Sequence, residues 1–161
     1  MNSDKTNQLF EESGGKILCF LLGEQEYGIQ ILEAREVVPL MQIEEAPNTP
    51  GFMRGIMNLR GSIIPVVDLR MKFGLPDFKP TKESCILKVD ISGHTTGVMV
   101  DSLIGVRSMK LNEFEENPDM GSHINTKFIH GMFKKDTEVI FILNMEEVLS
   151  NEELLQVHEH S

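Results

Sequence analysis

Residues 52–69, "FMRGIMNLRGSIIPVVDL", decide how this chain is built. Within them Ile63-Ile64-Pro65-Val66-Val67 is a continuous apolar run, bounded by Arg60-Gly61 on one side and Asp68-Leu69-Arg70 on the other. The run reads as a buried strand, although its proline cannot donate a ladder hydrogen bond. The same stretch returns, without a gap, 76 residues later as "FIHGMFKKDTEVIFILNM", residues 128–145. Phe52 falls on Phe128, Gly55 on Gly131, Ile64 on Ile140, Val66-Val67 on Ile142-Leu143, and Asp68-Leu69 on Asn144-Met145. Upstream, "YGIQILEAREV" resembles "TGVMVDSLIGV" at an offset of 69, with Gly28 on Gly97.

Working outward from the repeat, the dominant hydrophobic period is two. It predicts ten strands, over 16–22, 25–31, 36–43, 54–59, 62–67, 84–91, 94–100, 103–111, 127–134 and 137–143. Turn residues such as Arg60-Gly61, Ser92-Gly93 and Lys135-Asp136 separate them, a pattern of sandwiches and small barrels. Helices are short. Asp68 caps "LRMKF", Asn144 caps "MEEVL", and Ser150 with Glu153 forms a capping box for "NEELLQVHE". The fold class expected is therefore mostly β, as two related five-stranded barrels with short helices and a C-terminal helix. The boundaries expected are a polar arm over 1–14, one domain over 15–150 with halves at about 16–75 and 82–149, and a helix and tail over 151–161.

The repeat is also an internal control. Features in both copies serve the fold: a glycine where backbones approach at Gly55 and Gly131, a phenylalanine entering the turn, and an N-cap at Asp68 and Asn144. Pro65 stands where the second copy has Phe141, so the first strand can be an edge or carry a bulge. Arg60-Gly61 has no counterpart, because the second copy reads Asp136-Thr137. Gly61 suits the third residue of a type II turn, which needs positive φ, but turn chemistry does not ask for an arginine beside it. An arginine on a loop tip is ordinarily just solvated. A rigid tip is also where binding residues sit.

Composition narrows the function. The net charge of −10 disfavours nucleic acid. No apolar run approaches the length that crosses a bilayer, and residues 1–14 lack the apolar stretch of a leader, so cytoplasm is the expected compartment. Cys19 and Cys85 lie in separate apolar runs and read as buried free thiols. The five histidines form no metal-ligand spacing, no cofactor motif is present, and no acid, base and nucleophile converge. Ten methionines spread over both halves suit adaptable contacts as well as core filling. A non-catalytic, protein-binding adaptor without metal or cofactor is the expectation.

The stretches "EYGIQILEAREVV", "NTPGFMRGIMNLRGSIIPVVDLRMKFG", "TTGVMVDSLIGV" and "FIHGMF…VIFILNMEEVL" together resemble the CheW family, the bacterial chemotaxis adaptors. The similarity covers about residues 15–150, and the NLRG–P–DLR block is its most specific part. The resemblance implies two interwoven SH3-like barrels linking the cytoplasmic tip of a transmembrane chemoreceptor to the regulatory domain of the histidine kinase CheA. It also implies recruitment to membrane arrays and contacts with further copies of the same fold in rings. Carried over by position, it implies receptor contacts at Ala34, Glu36, Arg60 and Gly61, with Glu36 the ion-pair partner that fixes Arg60. Gly55, Leu103 and Val106 match positions tied to coupling, with buried packing an equal explanation. In the loop 112–126, Phe114 and Met120 are further candidates for a kinase contact. Two other readings stay open: an adaptor of a non-flagellar chemosensory pathway, and an SH3-like module that binds peptides. The second would want an aromatic-lined groove, and the chain has one Tyr and no Trp.

Overall fold

A computed structural model of the protein describes residue 11 and residues 14–45, 51–76, 79–116 and 126–158. Its strands are β1 (Lys16–Leu22), β2 (Gln25–Gln30), β3 (Ala34–Pro39), β4 (Met53–Leu59), β5 (Ser62–Asp68), β6 (Cys85–Ile91), β7 (His94–Val100), β8 (Ser102–Ser108), β9 (Phe114–Glu116), β10 (Ile129–Lys135) and β11 (Glu138–Leu143). Three short helices follow the hairpins: α1 (Leu69–Lys72), α2 (Met145–Val148) and α3 (Asn151–His158). The mostly β class holds, with β9 added to the ten strands expected. Three residues reading Phe-Glu-Glu carry too little alternation to announce a strand. Pro39 ends β3 earlier than the apolar pattern suggests, and β8 stops before the 3₁₀ turn at Leu111–Glu113.

The strands form a six-stranded sheet, β8-β1-β2-β11-β10-β9, and a five-stranded sheet, β3-β6-β7-β5-β4. Neither coincides with a half of the sequence. The second sheet is built from residues 34–100, and the first from 16–30 together with 102–143. The halves at 16–75 and 82–149 are therefore repeats but not barrels, because each repeat lends its first hairpin to the other. Hairpin β1–β2 joins β11 in parallel, Ile142 opposite Gly28, and hairpin β6–β7 joins β5 in parallel, Val66 opposite Gly97. These are the same residues that the two sequence offsets align. A Cβ on Gly28 would meet Ile17 and Ile142, and one on Gly97 would meet Ile86 and Met57.

Both sheets roll up. β8 and β9 are opposite edges of the first sheet, yet only residues 109–113 lie between them. That connector spans about 20 Å fully stretched, whereas a flat sheet of six strands is about 24 Å wide. In the second sheet the chain leaves edge strand β3 and Glu44 bridges Ile56 on the opposite edge, through N···O distances of 2.9 and 2.8 Å. Gly55 and Gly131 make room for closure: a Cβ would strike the Glu44 carbonyl at the first and the Glu115 carbonyl and Phe114 ring at the second. Pro65 lies one residue before the parallel ladder with β7 begins, so β5 is internal in the sheet while its first half lacks that neighbour.

Rolling produces three apolar cores. One barrel encloses Ile17, Cys19, Phe133, Ile140 and Ile142, the other Met57, Ile64, Val66, Ile86 and Met99. Between the barrels lie Leu18, Phe20, Val67, Leu87, Val98 and, from α3, Leu154 and Val157. Strands buried on both faces explain why "ILCFLL" and "IPVV" show no alternation, whereas Ile63 at the start of β5 is exposed. Cys19 and Cys85 are both buried and free, and burial pushes the Cys19 thiol up to about 12. Near the join, Lys72 lies over the rings of the repeat-related Phe52 and Phe128, at 4.5 and 5.7 Å from their centroids, and pairs with Glu153.

The two N-caps are not equivalent. Asp68, with no exposed surface, accepts from the backbone N–H groups of Arg70 and Met71 at 2.9 and 3.4 Å, and from Arg54 Nε at 2.9 Å. Asn144 occupies the matching position without a side-chain cap bond; its carbonyl accepts from Val148 N instead. The Ser150–Glu153 box forms as expected, Ser150 N donating to Glu153 at 3.0 Å and Glu153 N to Ser150 Oγ at 3.3 Å.

Candidate functional site

Leu59 pairs with Ser62, which leaves Arg60-Gly61 as a two-residue hairpin loop. Both residues have positive φ, 51° and 89°. That is the type I′ signature, so the type II turn expected from Gly61 alone is corrected: the right-handed twist of β4 and β5 demands the mirror-image turn. Asn58 Oδ1 accepts the Gly61 N–H at 2.9 Å and braces the tip. Arg60 holds a backbone conformation that L residues avoid. Gly61 faces open space.

From that tip the guanidinium reaches Glu36 on β3 with two bonds, Nη1 to Oε2 at 3.0 Å and Nη2 to Oε1 at 2.6 Å. Lys88 on β6 stands behind the carboxylate at 3.9 Å. Hydrogen bonding from Arg60, reinforced by its charge and that of Lys88, holds the Glu36 carboxyl below the usual carboxylate range. β3 and β4 are opposite edges of their sheet, so the pair clasps the rolled barrel at its end. The Arg60 side chain keeps 65% of its surface exposed. An ion pair this wet contributes little to folding, so stability alone does not account for it.

One residue along β3 from Glu36, Val37 enters a groove of ≈ 680 Å³ between the barrels, whose lining is apolar at Leu21, Val37, Pro39, Leu103 and Ile104 and polar at Lys82, Glu83, Ser84 and Ser102. Val37, Leu103 and Ile104 are 41%, 38% and 39% exposed, and Val106 on the same edge strand is 55% exposed. Apolar side chains gathered in the open like this mark an interaction surface.

The site residues expected from the sequence divide accordingly. Glu36, Arg60 and Gly61 come together. Ala34 is half-buried against the shared core, with a bulge between it and Glu36. Leu103 and Val106 are surface residues, so buried packing does not explain them. Gly55 is buried and serves barrel closure. Phe114 packs on Phe133, ring centroids 5.0 Å apart, beneath Gly131. Met120 lies outside the described residues. Sequence reasoning missed Val37 and Ile104, although Val37 and Val38 are adjacent in a strand and cannot both face inward. Among the described residues no cluster of three or more His, Cys, Asp or Glu could hold a metal ion, and no helix is long and apolar enough to cross a membrane.

A two-barrel frame that presents a clasped arginine beside a partly apolar groove has the form of a docking module. Residues 16–153 match the CheW-like domain, and the chain belongs to that family, whose members are non-catalytic adaptors. It is 30% identical over 147 residues to the chemotaxis protein CheW of Klebsiella aerogenes, covering 91% of this chain and 89% of that one. It is 32% identical over 137 residues to the chemotaxis protein CheW of Helicobacter pylori, covering 85% and 82%. The crystal structure of the scaffolding protein TtCheW from Thermoanaerobacter tengcongensis superposes with a TM-score of 0.79 at 36% identity, over 87% of this chain and 95% of the other.

Proposed function

We infer that the chain is a chemotaxis adaptor that couples transmembrane chemoreceptors to the histidine kinase CheA in a signalling array. The observation that carries the reading is the Glu36–Arg60 clasp set against the Val37–Leu103–Ile104 groove. A receptor tip is a helical hairpin, and the apolar face of a helix fits an apolar groove, while polar groups on its flank meet the charged tip. The residues assigned to this contact are Glu36, Arg60 and Gly61, with Ala34 at its margin. The regulatory domain of CheA, built on the same fold, docks on a separate face, and further copies of the chain complete a ring. The protein works in the cytoplasm and reaches the membrane only through the receptor.

Co-purification with a CheA regulatory domain and with a receptor cytoplasmic tip tests the reading. Retention of both in one complex is expected. Binding of neither, by the full chain at micromolar concentration, overturns it and leaves a peptide-binding module of the same fold.

A further inference from the structure

β8 is an edge of the six-stranded sheet and β3 an edge of the five-stranded one, and both wall the groove between the barrels. The offset of 69 that sets Gly28 on Gly97 also sets Ala34-Arg35-Glu36-Val37 on Leu103-Ile104-Gly105-Val106. Each edge breaks its register at the same place. In β3 the ladder with β6 passes from Ala34 to Glu36 and steps over Arg35. In β8 the ladder with β1 passes from Leu103, opposite Phe20, to Gly105, opposite Cys19, and steps over Ile104. A bulge present in both copies belongs to the barrel, which bends its edge strands to close. What stands on the bulge differs.

Arg35 is tied to Asp90 of β6 at 3.1 Å. Ile104 is exposed and lines the groove beside Leu103. Adjacent side chains of a regular strand take opposite faces, so it is the bulge that brings both to the groove. Folding does not ask for an isoleucine here, since the same bulge in β3 carries an arginine, and an apolar side chain left in water forgoes its burial. The glycine that follows is also peculiar to this copy. Gly105 has a φ of 128°, whereas its counterpart Glu36 does not have positive φ. A Cβ on Gly105 would meet no atom within 4 Å among the described residues, so the glycine serves a backbone conformation and not a close approach.

We propose that Gly105 is a positioning residue for the receptor contact: its backbone turns Ile104 onto the groove, where the isoleucine anchors the apolar face of the bound helix. The proposal rests on the receptor reading above. Leu103, Ile104 and Val106 make the β8 rim apolar, whereas the matching positions of β3 carry Arg35 and Glu36 beside the exposed Val37. A helix that meets both strands lies with its apolar stripe towards β8 and its polar flank towards β3 and the Arg60 tip. The two bulges, alike in backbone position and opposite in chemistry, fix how that helix is rotated about its own axis.

The test joins thiol labelling to binding in the full chain. Leu103→Cys and Ile104→Cys, made singly, should both react readily with a maleimide, while the buried Cys19 and Cys85 of the parent react slowly. A saturating receptor cytoplasmic tip should protect the thiol of Ile104→Cys. Affinity for that tip, measured by calorimetry, should fall roughly tenfold with Ile104→Ala and with Gly105→Ala, at an unchanged urea midpoint for the first. The double variant should lose no more than Ile104→Ala alone, because the glycine acts through the isoleucine. Ile104→Leu should keep most of the affinity. Should Gly105→Ala fail to fold, deletion of Ile104 removes the bulge instead, by letting the ladder run unbroken from Leu103 to Gly105, and the same loss is expected. Slow labelling at either position overturns the bulge as the presenting device. Tip binding that survives Ile104→Ala, or losses that simply add, overturn the proposal and leave the receptor reading standing. No tip binding by the parent overturns that reading and the proposal with it.

Discussion

Arg60 and Glu36 join opposite edges of one sheet by two parallel hydrogen bonds, at 3.0 and 2.6 Å, from a backbone conformation that costs energy to hold. A contact that is strained on one side and water-exposed on the other adds little to folding. The arrangement makes sense if the guanidinium is being aimed.

Arg60→Ala should leave the circular dichroism spectrum and the thermal midpoint essentially unchanged, while receptor binding falls by roughly tenfold or more. Exchanging the charges, Glu36→Arg with Arg60→Glu, rebuilds the clasp but should not rebuild binding. Full binding by the exchanged protein would reduce the pair to an internal strut.

Gly55 and Gly61 sit on the same hairpin with positive φ, 147° and 89°, and differ in surroundings. A side chain at Gly61 meets nothing, so Gly61→Ala should cost about 1 kcal/mol of backbone strain. A side chain at Gly55 strikes the Glu44 carbonyl, so Gly55→Ala should cost about 3 kcal/mol or more, by opening the barrel seam. Urea unfolding of the two variants separates strain from collision, and equal losses would remove the assigned role of Gly55.

Asp68 is a buried carboxylate satisfied by one guanidinium and two backbone N–H groups. Asp68→Ala strands Arg54 and uncaps α1, for an expected loss of about 3 kcal/mol. Asp68→Asn retains an oxygen for the cap and should cost clearly less. The comparison of urea midpoints decides whether the cap or the ion pair matters more.

Glu153 sets a pH window for the anchoring of α3. Burial pushes its carboxyl up, but the bonds from Lys72 and Ser150 outweigh it and hold the group below the usual carboxylate range. Its contribution to anchoring α3 is then fully present above the ordinary glutamate value of about 4.3 and fades as the pH falls through the lowered one. Glu153→Gln should flatten the fall in thermal midpoint between pH 5 and 3.

The strands were legible from the start, because apolar runs between paired turn residues mark where they lie. The exchange of hairpins was not. A period of two tells which face a residue occupies but says nothing about which edge it will meet, and parallel pairing of β2 with β11 joins residues over a hundred positions apart. Arg60 stood out by its absence from the second repeat, and the structure sets it against Glu36; its turn type was misread because only Gly61 advertised positive φ. The Arg54–Asp68 pair left a trace that went unused. Both charges stand in one repeat, and both are gone from the other, where His130 and Asn144 take their places.

The reciprocal exchange also sets an order on synthesis. The second barrel draws only on residues 34–100, so all its strands are available while the rest of the chain is still being made. Hairpin β1–β2 leaves the ribosome earlier, yet its parallel neighbour β11 ends at Leu143. These two strands are translated before the second barrel yet completed after it, and for most of that interval Leu18, Phe20 and Ile29 have only the finished second barrel to shelter against.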